Sequence, residues 1–266
     1  MKNPLAIIAL MVIPLGGLQG QVLFEQNFSG STVLSSYISA TPDSGQWNAI
    51  GTSGAGVSIS VASNNLAFTR SAVNAGSFSR TTDFSPTPDT MIYRFDLSVS
   101  GNTSAMTSVA VWQLGSGFGT ANDAESNLNT YARFALNLTA TDGIFQIRDI
   151  QNLTNSGNLS GTQSIMWVLN NSGISFSYTS PLGSASTVAN DTADIWAGTN
   201  LLFNDVAVTT PTQTLSDLKF AYTQGNGTIT MDNILITVPE PGVGALLGAG
   251  AIILPWGLRR ARRIKS

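Results

Sequence analysis

The chain has 266 residues, with 12 Lys and Arg against 15 Asp and Glu, no His and no Cys. Only 10% of it is charged, where soluble domains carry about 25%, yet apolar residues reach 42% and can supply a core. The missing Cys and His exclude thiol nucleophiles, Ser-His-Asp triads, Cys/His zinc sites and disulfides, and with them most enzyme classes.

At the N-terminus Lys2 precedes an apolar stretch from Leu5 to Leu15, followed by Gly16, Gly17, Gln19 and Gly20. This is the layout of a secretory signal peptide spanning residues 1–20 and cleaved near Gly20. Pro4, Pro14 and the paired glycines argue against a buried helix there. The body, 21–238, holds six basic residues against 14 acidic ones. It is rich in Ser, Thr and Asn, which number 31, 28 and 21 in the whole chain.

The body reads as strands. A period of two runs through Val57 to Val61, through Met91 to Ser100, where Met91, Tyr93, Phe95, Leu97 and Val99 alternate with polar residues, and through Arg133 to Thr139. Ile165 to Leu169 is continuously apolar, as expected of a strand covered on both faces. Ile174 to Tyr178 and Ile229 to Thr237 alternate again. Turn clusters separate these runs at Thr52 to Gly56, Gly115 to Gly119, Asn152 to Gly161 and Gln224 to Gly227. No segment of the body carries a sustained 3.6-residue period. About a dozen short strands predict an all-β, antiparallel β-sandwich of jelly-roll or concanavalin A-like type.

The residues that could carry chemistry are few. A glycosidase needs two carboxylates flanking the sugar bond, and outside Glu240 the only glutamates are Glu25 and Glu125. Asn122, Asp123, Glu125, Asn127 and Asn129 form one oxygen-rich loop, read either as a solvated loop or as a wrap for a hard cation. Trp112 and Trp167 sit in apolar runs and are read as core. Trp196, in D-I-W-A-G, is read as the exposed tryptophan and the candidate glycan contact. With no side chain titrating between about pH 5 and 8 in its unperturbed form, folding stability is expected to be nearly flat across that window.

The C-terminus has three parts. Pro239-Glu240-Pro241 precedes Gly242 to Leu258, 17 residues without a charge, enough for a helix of about 25 Å against a hydrocarbon core of about 30 Å. Arg259, Arg260, Arg262, Arg263 and Lys265 follow, a stop-transfer cluster that would stay cytoplasmic. In this order V-P-E-P-G, a small-residue apolar helix and R-R-x-R-R resemble the PEP-CTERM sorting signal of Gram-negative bacteria, over residues 239–266. The resemblance implies that Pro239, Glu240 and Pro241 are recognised by an exosortase, a membrane protease. It also implies that the protein passes through transient inner-membrane insertion to the cell surface or extracellular matrix, in association with exopolysaccharide. A plain membrane anchor is the alternative.

A second resemblance rests on the opening L-F-E-Q-N-F-S-G and the closing G-T-I-T-M-D-N-I-L-I-T, which are similar to the first and last strands of carbohydrate-binding modules and lectin-like jelly rolls. It implies a structural Ca²⁺ between those strands, with Glu25 and Asp232 as oxygen donors. Asp232 could equally cap a strand end or face water. The reading reached is a non-catalytic exported surface or matrix protein that binds no nucleic acid. The alternative is a carbohydrate-binding lectin-like module, and a glycoside hydrolase is the remotest option.

Overall fold

The computed structural model describes residues 20–239. Strands follow in chain order as β1 (Gln21–Gln26), β2 (Ala49–Thr52), β3 (Val57–Ala62), β4 (Asn65–Arg70), β5 (Gly76–Arg80) and β6 (Thr90–Ser100). Then come β7 (Met106–Gly115), β8 (Thr130–Leu138), β9 (Ile144–Asp149), β10 (Thr154–Asn155), β11 (Leu159–Ser160) and β12 (Gln163–Asn170). The last are β13 (Phe176–Thr179), β14 (Ala185–Val188), β15 (Thr192–Ala197), β16 (Asn200–Ala207), β17 (Asp217–Tyr222) and β18 (Gly227–Val238). Among the described residues the one helical element is a single 3-10 turn, η1 (Leu34–Tyr37).

These strands form an all-β antiparallel sandwich. The front sheet runs β16-β15-β12-β6-β18-β4-β3, and β1 pairs with β18. The back sheet runs β10-β9-β8-β7-β17-β5-β2, and β11 pairs with β9. Long β18 is shared end to end: β4 pairs with Gly227 to Met231, and β1 pairs with Ile234 to Val238. The first and last strands of the domain are therefore neighbours.

The strands with strict alternation lie where the sequence places them. In β6 the residues Met91, Tyr93, Phe95, Leu97 and Val99 are buried in the core, while Arg94, Asp96 and Ser98 are half-exposed on the other face. The run Ile165 to Leu169 is buried throughout, and the reason is visible on both faces. Ile165, Trp167 and Leu169 join the main core, whereas Met166 and Val168 pack outward under the β13–β14 hairpin, with Ile92, Tyr178, Val188 and Trp196. The hairpin forms a second, smaller core on the outside of the front sheet.

The main core is organised by one row of side chains. Register places Ile50, Phe78, Phe220, Trp112 and Phe134 directly beside one another on β2, β5, β17, β7 and β8. From the front sheet Phe68 meets Phe220 at 4.9 Å between ring centroids, Phe95 stacks on Trp112 at 5.5 Å, and Trp167 meets Phe134 edge-on at 4.9 Å. Offset and edge-on pairs of this kind contribute about 0.5–1.5 kcal/mol each beyond the area they bury.

Phe220 touches Phe68, Phe78 and Trp112 and is fully buried. Phe220→Ala is expected to lower the urea-unfolding free energy by about 3–5 kcal/mol, the cost of emptying an aromatic site in a packed core. Leu128→Ala, at a side chain that is 77% exposed, should stay within about 0.5 kcal/mol of wild type. Equal losses for the two variants would show that the aromatic row does not hold the sheets together.

Candidate functional site

Beside the β13–β14 hairpin the outer face of the front sheet opens into a hollow of about 400 Å³. Arg94, Asp96, Ser164, Ser180, Asn233 and Leu235 are among the residues lining it. Its floor follows from register. Asp96 on β6 is paired with Ser164 on β12 and with Asp232 on β18, and Arg94 is paired with Met166 and Leu235. Paired residues share a face, so these polar groups line up on the side away from the core.

Asn233 is brought into the site by a defect in β18. The register slips between Asp232 and Leu235, and Asn233 takes a left-handed backbone with φ 50°, a conformation that Asn tolerates better than most residues. A bulge re-aims the side chain it carries: Asn233 is exposed, and its Nδ2 donates to Asp96 Oδ2 at 2.9 Å. Ser164 Oγ donates to the other oxygen, Oδ1. Asp96 is thus held with both oxygens engaged.

Asp232 stands beside this carboxylate. Its own burial pushes its pKa up, the Asn233 backbone N–H opposes that shift, and the Asp96 charge adds to it. Asp232 Oδ1 is buried without a hydrogen-bond partner among the described residues. Arg94, across the strand pair, has its pKa pulled down by burial and makes no ion pair among the described residues. The hollow therefore presents a guanidinium, a carboxylate, an amide and hydroxyls in one patch.

The hairpin wall of the hollow is tied to the sheet by a buried relay. Tyr178 Oη donates to Asp194 Oδ2 at 2.5 Å and accepts from Trp196 Nε1 at 2.9 Å, while Asp194 Oδ1 accepts the Asp205 backbone N–H at 2.8 Å. Burial pushes the Tyr178 hydroxyl up to about 12 and raises the Asp194 carboxyl as well.

This corrects the reading of Trp196 as the exposed tryptophan: it is 5% exposed, lies beneath the hairpin, and offers no face to a sugar. The alternating F-S-Y-T and A-S-T-V segments around a Pro-Leu-Gly-Ser turn were the signal for a covering hairpin. Trp112 and Trp167 are core, and so is Trp47. Among the described residues every tryptophan and tyrosine is buried, and Phe176 and Phe203 are the only phenylalanines even half-exposed. The described residues therefore offer no fully exposed aromatic ring on this face.

Glu25 and Asp232 lie on neighbouring strands, but Glu25 is paired with Leu235, three positions from Asp232, a separation of about 10 Å along the strand. Calcium takes six to eight oxygens around one point, and among the described residues no three His, Cys, Asp or Glu side chains gather to hold a metal. The pair as placed does not assemble a calcium site. Of the sorting motif only Pro239 falls inside the described residues; Glu240, Pro241, Arg259, Arg260, Arg262, Arg263 and Lys265 lie outside them, as does the signal-peptide segment up to Gln19.

The oxygen-rich loop has a structural task. Asp123 is exposed, but Glu125 Oε1 accepts from Lys219 Nζ at 2.5 Å and from the Gly119 N–H at 2.9 Å. Lys219 is 1% and Glu125 14% exposed. Gln113 on β7 clamps the same residue from below, its Oε1 accepting the Glu125 N–H and its Nε2 donating to the Glu125 carbonyl. Asn122 Oδ1 accepts from Ser77 Oγ on β5. The loop is strapped to the outer face of the back sheet, and Glu125 is spent on a buried ion pair that sequence spacing alone did not reveal.

The end of the same strap meets Asp217, whose Oδ2 accepts the Phe118 N–H at 2.8 Å. Burial raises the Asp217 pKa to about 6; the Phe118 bond opposes the rise and the Asp83 charge adds to it. The expectation of a stability flat across neutral pH is therefore corrected. An unfolded aspartate titrates near 3.9, so between about pH 4 and 6 the folded chain holds the extra proton. This contribution to stability is complete below about pH 4 and is lost as pH rises through about 6. From pH 5 to pH 8 the unfolding free energy should fall by about 1 kcal/mol through this group, as read by urea titration. Asp217→Asn should show a smaller fall, and an unchanged one would assign the pH dependence to other groups.

No protein-family model matches the chain, and no curated protein matches it in sequence. Solved structures do share its fold. A carbohydrate esterase from the Shiga toxin-encoding bacteriophage phi24B superimposes with a TM-score of 0.52 at 10% identity, covering 84% of this chain and 100% of its own. The carbohydrate recognition domain of Emp46p, as a point mutant, gives a TM-score of 0.51 at 10% identity over the same shares. At such identities the likeness is one of fold alone.

Proposed function

We propose that residues 21–238 form a non-catalytic, lectin-like carbohydrate-binding module, and that the hollow at Arg94, Asp96 and Asn233 is where it holds glycan. The observation that carries this reading is the polar patch itself. A sandwich that shares its fold with a carbohydrate recognition domain bends its longest described strand so that an amide joins a fixed carboxylate and a guanidinium that makes no ion pair among the described residues. Sugar hydroxyls donate to a carboxylate and accept from an amide or guanidinium, so this group of donors and acceptors suits a hydroxyl-rich ligand. Since Phe95, the one aromatic residue lining the patch, is buried in the core, affinity rests on hydrogen bonds exchanged against water, each worth about 1 kcal/mol net and up to about 3 to a charged group.

The esterase likeness lends no catalytic role. The chain has no His, so Ser164, although it donates to Asp96, lacks the base that activates a serine in a Ser-His-Asp triad. A glycan array probed with the exported protein, followed by titration of the best ligand, tests the reading. Asp96→Ala and Arg94→Ala should each weaken binding about 10- to 100-fold, the cost of about 1.5–3 kcal/mol for a lost charged hydrogen bond, with melting temperature held. Binding that ignores both substitutions, or no binding to any glycan, would overturn it.

Delivery to the outside is the second part of the proposal. The signal-peptide layout at the N-terminus and the resemblance of residues 239–266 to a PEP-CTERM signal support export. An exosortase-type protease then acts at Pro239-Glu240-Pro241, and the released module binds extracellular polysaccharide. Intact mass spectrometry of surface-recovered protein should show a mass that lacks Arg259 to Ser266, and alanines at the three motif positions should leave the full-length chain in the inner membrane. Surface protein that retains the arginine tail would remove the sorting reading and leave the glycan reading standing.

A further inference from the structure

Among the described residues the two large sheets have several strand edges, and all but one are blunted. At β16 the register slips twice, Asp205 takes a left-handed backbone with φ 50°, and Asn204 and Asp205 stand exposed. At the corresponding edge of the back sheet lie β10 and β11, two residues each. β2 is four residues long, and the free side of β1 is met by the loop at Ser44, whose carbonyl accepts the Glu25 N–H. Bulges, charges and short length are the devices by which sheets avoid pairing with other chains.

β3 has none of them. It is six residues, V-S-I-S-V-A, in unbroken register with β4, without charge or proline. The Ser71 N–H donates to the Gly56 carbonyl one position beyond the Val57–Arg70 pair. By the alternation of an antiparallel ladder, Val57, Ile59 and Val61 then turn their N–H and C=O groups away from β4. No described residue hydrogen-bonds to those groups, and η1, which packs Leu34 and Ile38 on the core nearby, makes no hydrogen bond to β3. Ser58 and Ser60 are exposed on the outer face.

The segment from Val57 to Val61 also reads the same in both directions. We propose that β3 pairs with β3 of a second copy of this chain, antiparallel, about a two-fold axis at Ile59. Antiparallel pairing on that axis sets Ile59 against Ile59, Val57 against Val61 and Ser58 against Ser60. Its hydrogen-bonded pairs are the three residues whose groups face outward, so every free donor and acceptor of the edge finds a partner. A two-fold contact uses the same patch on both copies, and a palindromic, uncharged strand satisfies that demand with like meeting like. The joined front sheets would continue across the interface. The hollow at Asp96 lies on the far side of β4 and stays open in both copies.

Because the chain has no Cys, introduced thiols report the pairing directly. Ser58 and Ser60 of opposite copies form a non-hydrogen-bonded pair with Cα atoms about 4.5 Å apart, within disulfide range, whereas Ser58 faces its own copy only diagonally, about 7 Å away and outside it. Two differently tagged full-length chains, one Ser58→Cys and the other Ser60→Cys, are co-expressed, oxidised and run on a non-reducing gel. The pair should give a covalent heterodimer at least about tenfold above the dimer of either variant expressed alone, with masses that match two copies of this chain. Equal cross-linking by the single variants would mean random collision. No cross-link in the pair, or a cross-link to a different protein, would equally overturn the proposal. Both substitutions are at exposed positions, and an unchanged melting temperature for each variant shows that the fold is retained.

Discussion

The structure depends on how the two sheets face each other through rings. Phe78, Phe220, Trp112 and Phe134 share one row of the back sheet, and Phe68, Phe95 and Trp167 reach them from the front. A chain without cysteine has no disulfide to hold it together and depends on packing, and large rings supply much buried area per ordered side chain. The aromatic core has a cost: the indole nitrogens of Trp47, Trp112 and Trp167 and the Tyr93 hydroxyl are buried without partners among the described residues. An unsatisfied buried donor costs about 1–3 kcal/mol, so the area these rings bury must outweigh it.

With the rings committed to the interior, the outer faces are left to polar residues and to whatever covers them. On the front sheet the β13–β14 hairpin is fastened by Tyr178, Asp194 and Trp196. On the back sheet the loop around Glu125 is fastened by Lys219 and Gln113. In each case a charged group sits deep in the fold because its partners satisfy it, which is the condition for burying charge at all. Beside the hairpin the hollow stays uncovered, and there Asp96, Asn233 and Arg94 line it.

That distribution shapes the functional reading. A sandwich with no exposed aromatic platform among its described residues would, in the proposed role, recognise glycan through polar contacts, which are specific in geometry and modest in energy. Binding by such a site gains from repetition, since several weak contacts on one polymer act at high effective concentration. Paired copies displayed on a repeating polysaccharide would meet that condition without any additional residue.

The sequence by itself determined the class of the fold. Period two through Met91 to Ser100 and Ile229 to Thr237, with Gly, Asn and Ser between such runs, leaves no architecture but antiparallel strands. The unbroken I-M-W-V-L run implied that something covers its second face. The exclusion of Cys and His chemistry was equally legible, because it depends on composition alone. Tertiary structure alone decided which polar groups meet. Asp96 and Asp232 are 136 positions apart by their numbers and become neighbours only through the pairing of β6 with β18. Glu125 finds Lys219 across 94 positions, and Trp196 disappears under a hairpin whose docking no local pattern specifies. A side-chain period reports which face of a strand is buried; it carries no information on which strand lies next to it, and both the hollow and the strap are properties of that adjacency.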